Sequence, residues 1–365
     1  MTLEDKALED QLPKEIIISA DDAELLKFLE ATKPKIYVVG TGGSGCNTLN
    51  RTTELGIEGV RFAAMNTDVR HLIKMRADKK ILLGKTTTKG MGAGSNPSVG
   101  EAAAKESAAE IKASLADANM VFIACGMGGG TGTGSAPIIA EMSKAAGALT
   151  IAVVTLPFLS EGPVRMKNAL EGLEKLRKHA DTVIVVPNDK LLAIAPDLPL
   201  NTAFKVCDEV LAGAVKSIAE LITRAGLVNL DFADLRTILA GAGCAVVGVG
   251  ESSVDAKADQ RALIAVEMAL SSPLLDVDLS SANRALVNVV GGEDMTLKEA
   301  ELIVAEVSKR IDPSAHIIWG ARVEKSTKKS SLRVLVVIAG AKFPQYSVGA
   351  GPSAPVENLD LDLIS

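Results

Sequence analysis

Three glycine-rich segments stand where strands are expected to end and helices to begin. Gly40-Thr41-Gly42-Gly43-Ser44-Gly45 follows the apolar run KIYVVG. Gly90 to Asn96 precedes an alanine-rich stretch, and Gly126 to Gly134 (GMGGGTGTG) follows MVFIACG. Bare glycine backbone lets an anion approach closely, and the free N–H groups of a helix start attract its charge. The first segment fits G-x-G-x-x-G, and Asp68, after the second expected strand, stands where a ribose-binding acid would. Taken alone, this predicts a nicotinamide-dependent oxidoreductase. The loop around Gly130, Thr131, Gly132 and Thr133 changes that balance. Its run of N–H groups and its two hydroxyls suit a larger anion. A nicotinamide cofactor needs one such loop, whereas three suggest a triphosphate gripped from several sides. Tight turns or close helix packing would explain the glycines of one loop more readily than those of three.

Other residues could serve the rest of such a ligand. Phe204 and Asp208 are four apart and would share a helix face. A ring there could cover a base while the carboxylate accepts hydrogen bonds from guanine N1–H and N2–H₂, donors that adenine does not offer together. Without the loops, a core ring and a solvated acid would be the better reading of that pair. Asn229, Asp231 and Asp234 stand at an expected helix start, where they could simply cap it and complement its dipole. The phosphate loops offer no evident general base or arginine finger, however. Glu161 and Arg165 are local candidates, and an acidic pair donated by a neighbouring copy is another. Mg²⁺ is expected with a triphosphate, held mainly through phosphates and water. Gly84-Lys85-Thr86 resembles the end of a Walker loop, but Lys79 stands where its leading glycine belongs.

Positioning these segments requires a particular scaffold. The apolar, non-alternating runs KIYVVG, VRFAAMN, MVFIACG, LTIAVVTLPF and TVIVVPN alternate with helical stretches. That pattern predicts an α/β fold with a parallel, Rossmann-like sheet covered on both faces, its ligand at the carboxyl ends of the strands. SVGEAAAKESAAEIKASLADA (98–118) is strongly helical by composition. Residues 201–226 predict a long central helix with apolar positions near a 3.6-residue period. Beyond it, CAVVGVG, ALVNVVGG, HIIWGARV and SLRVLVVIAG, with two helices between them, predict a second, smaller α/β domain. The expected organisation is an N-terminal arm at 1–33, carrying a short helix at 21–30, a nucleotide-binding domain at 34–226 that includes the central helix, a second domain at 227–342 and a flexible tail at 343–365.

Composition narrows the function. The 365 residues are 47% hydrophobic, enough for a sizeable core, and only 3% aromatic, which leaves few rings for stacking on exposed bases. A net charge of −6 argues against a nucleic-acid partner. No apolar run is long enough to span a bilayer, and the acidic N-terminus lacks the regions of a signal peptide, so a cytoplasmic location is expected. The 4 cysteines and 3 histidines show no metal-ligand spacing, and neither a metal site nor a disulfide framework is expected.

The motifs GTGGSGCN, MNTD, GAGSNP, GGGTGTG, VTLPFLSEGPVRMKNA, VVPNDKLL, NLDFADLRT and SSPLLDVDLS follow one another in the order of the FtsZ family of tubulin-like, prokaryotic cell-division GTPases. The resemblance spans roughly residues 35–340, and ADKKIL and HIIWGA resemble archaeal members. It implies a GTPase domain, a central helix and a C-terminal activation domain. It also implies GTP/GDP as ligand and head-to-tail homopolymers forming a ring at the mid-cell division site. Carried over by motif, Gly43, Ser44, Gly45, Cys46 and Asn47 would lie along the nucleotide, and Gly130, Thr131, Gly132 and Thr133 would hold phosphates. Glu161 and Arg165 would contact the ribose and its surroundings, and Asn188, Phe204 and Asp208 the base. Asn229, Asp231 and Asp234 would complete the active site of the next subunit. Cys46 departs from the Gly or Asn common at its position. The tail, ENLDLDLIS, lacks the Asp-Ile-Pro-x-Phe-Leu peptide of bacterial members, so a division protein or membrane tether docking there would be of another kind.

Overall fold

The computed structural model describes residues 33–190, 199–224, 226–228, 230–252, 260–275, 277–324 and 331–341. The expected arm up to residue 32, the tail from 343 and Asn229 lie outside the described residues. The chain divides into two compact units, Met1–Pro34 and Lys35–Ser365. Every described strand and helix belongs to the second unit.

Ten strands are present among the described residues: β1 (Ile36–Thr41), β2 (Val60–Asn66), β3 (Lys79–Leu82), β4 (Met120–Gly126), β5 (Leu149–Leu156), β6 (Thr182–Pro187), β7 (Gly243–Glu251), β8 (Arg284–Gly291), β9 (His316–Val323) and β10 (Leu332–Ala339). The helices are α1 (Gly42–Glu54), α2 (Val69–Ile73), α3 (Pro97–Glu106), α4 (Ala108–Leu115), α5 (Thr131–Ala145), α6 (Pro163–His179), α7 (Leu200–Thr223), α8 (Phe232–Leu239), α9 (Arg261–Leu270) and α10 (Leu297–Ser308).

The strands form one sheet in the order β3-β2-β1-β4-β5-β6-β7-β10-β8-β9. From β3 to β7 every pairing is parallel. Strand β10 is antiparallel to both β7 and β8, and β9 rejoins in parallel with β8. The central strands are buried along their whole length, β1 and β5 without an exposed residue, which is why their sequences do not alternate. Successive side chains instead feed two cores. Tyr37 and Val39 join one with residues of α3 to α6, α9 and α10, while Ile36 and Val38 join the other with Cys46, Leu49, Leu211, Val215, Ile218 and Leu235. The long helix is therefore held in the second core by its apolar stripe.

Two features add to the sequence expectation. The helical stretch over 98–118 is divided into α3 and α4, because Ser107 leaves helical geometry (φ −93°, ψ 13°). Its hydroxyl accepts from the N–H of Gly84, and Thr86 and Thr87 donate to the adjacent Glu106, so the break is where a neighbouring loop docks. The strands of the second half also join the same sheet. Thr182–Ile184 of β6 pair with Gly243–Ala245 of β7, which continues the first sheet into the second half of the chain.

Candidate functional site

The strand order reverses between β1 and β4, and in such sheets the crevice at the reversal, beyond the carboxyl ends of the strands, receives ligands. Both flanking strands run directly into helices there. Thr41 ends β1 and α1 starts at Gly42; β4 ends at Gly126 and α5 starts at Thr131. The two helix starts touch: a Cβ on Gly42, whose φ is +74°, would fall 2.8 Å from the backbone N of Gly132. Two positive helix ends with free N–H groups thus converge at one spot.

A cleft of about 460 Å³ opens over them, within the size range of small-molecule sites. It brings together Gly43, Ser44 and Asn47 from α1, Gly130, Thr131 and Gly132 from the second glycine loop, Glu161 and Arg165, Asn188 after β6, and Phe204 and Asp208 from α7. Ser95 of the third glycine segment lines it as well, and Asn96 caps α3 by accepting from Ser98 N–H. All three glycine-rich segments therefore meet at one place.

Several expected residues sit elsewhere. Gly45 packs against β4, where a Cβ would lie 2.1 Å from the carbonyl oxygen of Ala124. Cys46 is fully buried, its thiol directed at the carbonyls of Gly40 and Met65, and burial pushes it up to about 12. Thr133 is buried and its hydroxyl accepts from Gly128 N–H, which shapes the loop from behind. Asp231 and Asp234 do not line the cleft. Asp231 is the N-cap of α8, accepting from Asp234 N–H at 2.7 Å, while the Asp234 carboxylate accepts from Asp231 N–H at 3.3 Å. The acid that Rossmann enzymes use on ribose is engaged too, since Asp68 caps α2 through Arg70 and His71 N–H.

The cleft has two chemically different ends. At the loop end, Gly43 has nothing within 4 Å of a would-be Cβ, and Gly129 has only an Arg165 nitrogen at 4.0 Å. This is bare backbone facing open space. Gly130 differs, because a Cβ there would strike Ala93 and Asn96 N at 2.8 Å, so it serves packing as well as lining. The Thr131 hydroxyl is held by Thr67 at 2.6 Å. Arg165 bonds Glu161 at 2.5 Å, and Glu161 in turn accepts from Phe158 N–H, which fixes the pair at the rim.

The other end is rich in acceptors. The Oδ1 of Asn188, a residue only 5% exposed, is buried with no hydrogen-bond partner. The Asp208 carboxylate receives a hydrogen bond from Thr48 at 2.7 Å, yet burial raises it to about 6 against that pull. Phe204 is 42% exposed and lies edge-on to Phe158, with centroids 5.3 Å apart, so it is a wall of the cleft and not a core ring. Thr155, Pro157 and Cys207 also line the cleft and were not singled out from sequence. Cys207 follows Phe204 by three residues on the same face, and Thr155 and Pro157 end a strand whose neighbours carry the loops; those were the available signals. Among the described residues there is no cluster of three or more His, Cys, Asp or Glu suited to a metal. None of the helices described is long and apolar enough to cross a membrane.

Comparison with known proteins agrees with this geometry. Residues 35–196 match the Tubulin/FtsZ family GTPase domain, and residues 243–342 match the FtsZ family C-terminal domain. The chain is 57% identical over 328 residues to cell division protein FtsZ 1 of Methanocaldococcus jannaschii, covering 90% of this chain and 89% of that protein. It superposes on an FtsZ dimer structure from M. jannaschii with a TM-score of 0.82, covering 88% of this chain and 92% of that one. A GTPγS-bound CetZ2 protofilament from Haloferax volcanii has a TM-score of 0.73 over 84% of this chain and 93% of its own; at 23% identity it attests the fold alone. The chain belongs to the tubulin/FtsZ family of GTPases, with the two-domain fold of FtsZ.

Proposed function

We propose that the protein is a polymerising GTPase that assembles head to tail into protofilaments, hydrolyses GTP between subunits and works in the ring at the mid-cell division site. The observation that carries this reading is the polarity of the cleft. Free backbone donors and two helix N-termini lie at one end, with Asn188 and Asp208 acceptors at the other. A guanine nucleotide has the complementary order, with phosphate oxygens at one end and N1–H and N2–H₂ at the other. Mg²⁺ would travel with the triphosphate, held by its oxygens and water. The domain limits read from sequence, 34–226 and 227–342, serve here as the nucleotide-binding and activating halves.

Shared catalysis rests on distance. Phe204 and Asp208 lie near the start of α7, whose 24 residues span roughly 36 Å at 1.5 Å per residue, and the acids of α8 follow its far end. Asp231 and Asp234, with Asn229 beside them in sequence, would then act on the nucleotide of the next subunit. Such a heterologous contact repeats as a filament. GTP within it would couple hydrolysis to disassembly. The protein's own copies are thus its main partner, and the tail a docking site for division proteins or a membrane tether. That a relative's structure is a dimer supports self-association.

The test is GTP-dependent sedimentation with phosphate release followed across protein concentration. Turnover per subunit should rise above an assembly threshold. A rate per subunit that stays constant down to monomer concentrations overturns shared catalysis. Gly43→Ala is the probe of the phosphate end, since it fills open cleft without striking protein. It should weaken GTP binding with little change in melting.

A further inference from the structure

Asn47 lines the cleft. Ser44, Asn47 and Thr48 share one face of α1; Ser44 stands at the loop end, and Thr48 bonds Asp208 at the other. An asparagine amide can offer such a position either its oxygen or its NH₂, and a chain of hydrogen bonds decides which. The chain starts at a group that cannot turn. The backbone N–H of Asp68 donates to Asn66 Oδ1 at 3.2 Å. Asn66 is buried at the end of β2, so its Nδ2 must face the other way, towards His71 Nδ1 at 3.2 Å. An NH₂ group there requires an accepting Nδ1, which leaves the proton of the neutral ring on Nε2. His71 Nε2–H then donates to Asn47 Oδ1 at 3.1 Å. With its oxygen turned to His71, Asn47 is left to offer its NH₂ to the ligand.

We propose that His71 is a positioning residue for the nucleotide. Through a relay of fixed direction, Asp68 N–H to Asn66 to His71 to Asn47, it turns the Asn47 amide so that its N–H donors face a sugar or phosphate oxygen in the cleft. The proposal rests on the nucleotide reading above. The loop from Asn66 to His71 is itself firmly held: Asp68 caps α2, Asn66 O accepts from Leu83 N–H, and Thr67 O accepts from Gly92 N–H. The ring is thus mounted on a rigid element and not on a mobile rim.

A double-mutant cycle on the full chain tests this, with GDP and guanosine as the ligands. His71→Ala should weaken GDP binding roughly three- to tenfold, the range for losing one well-placed hydrogen bond. Asn47→Ala should weaken it by at least as much. In the Asn47→Ala background, His71→Ala should have no further effect. His71→Gln, which can accept from Asn66 and donate to Asn47, should stay within about twofold of wild type, a rescue that a purely structural role would not give. His71→Glu supplies the cycle if the alanine variant folds poorly. Its carboxylate cannot donate to Asn47 Oδ1, so it should draw the NH₂ away from the cleft and weaken binding only where Asn47 is present. Coupling seen with both ligands supports the proposal with a sugar contact, and coupling with GDP alone supports it with a phosphate contact. Additive losses, or a glutamine no better than alanine, overturn it. A wild-type chain that binds no guanine nucleotide would instead overturn the functional reading beneath it.

Discussion

The two ends of α7 carry acids in opposite circumstances. Asp208, near its start, is partly buried with a single hydroxyl for a partner, and burial lifts its carboxyl to about 6. Asp231 and Asp234, just past its far end, stand at the start of α8, and each accepts the other's backbone N–H. The first acid is under-satisfied by the protein and is suited to a ligand that brings donors. The second pair is already satisfied by a local task, so a catalytic role there must be an added one that leaves the cap intact. An acid's surroundings, more than its presence in a motif, tell which of its roles the folded chain has already filled.

The largest expected effect separates capping from catalysis. Asp231→Ser keeps a good N-cap and removes the charge. Turnover should fall a hundredfold or more, the scale of a lost acid–base or water-orienting group, while GDP affinity and melting change little. Phosphate release from assembled protein reads this directly. Retained turnover in the serine variant would reduce the pair to a cap. Asp231→Ala should show the same loss of turnover and in addition lower stability by about 1 kcal/mol, the usual value of an N-cap.

At the other end, Asp208→Asn should erode the preference for GTP over ATP roughly 10- to 100-fold, as expected when a charged acceptor of base donors is lost. Competition binding with the two nucleotides measures it. Unchanged discrimination would remove Asp208 from base recognition.

A smaller effect follows from the raised carboxyl. The ligand-free protein holds a proton on Asp208 below about pH 6, and that proton must leave before guanine N–H groups can be accepted. GDP affinity should therefore fall by up to tenfold per pH unit below that point, with proton release on binding that vanishes near pH 8. Titration calorimetry in buffers of different ionisation heat detects the released proton. A flat profile between pH 5 and 7 contradicts the assignment.

The smallest effect concerns stability without nucleotide. The folded carboxyl lies above its ordinary value of 3.8. Its stabilising contribution is then fully present below that value and is lost as pH rises through about 6. Asp208→Asn should consequently raise the melting temperature of the ligand-free protein at pH 7 by a few degrees, and the gain should disappear near pH 4. A variant less stable at both values would mean that the Thr48 bond outweighs burial.

Much of this was legible in the sequence, for identifiable reasons. Fully buried parallel strands cannot alternate, so KIYVVG and LTIAVVTL announced the doubly wound sheet, and glycines at their carboxyl ends announced the cleft. A four-residue spacing put Phe204 and Asp208 on one wall. What sequence could not separate was two uses of one residue type. Gly43 is bare because the cleft needs room, whereas Gly45 is bare because the carbonyl of Ala124 is in the way; both belong to one motif. Thr131 and Thr133 likewise look equivalent, yet one lines the cleft and the other is buried behind the loop. Such differences depend on which way a helix start is rolled against the sheet, and that is set by contacts from distant parts of the chain. The break at Ser107 is hidden in the sequence for the same reason, since the loop that docks there lies about twenty residues earlier.

The single sheet has a mechanical consequence. Its seam between β6 and β7 is only 3 register pairs long, against 7 between β7 and β10 and 8 between β10 and β8. Under tension the sheet should behave like a ribbon narrowest at that seam, with the 4-pair edge seam of β2 and β3 next. Most of its width would bear load together, and rupture would begin at Thr182–Ile184, with each side still zipped behind it.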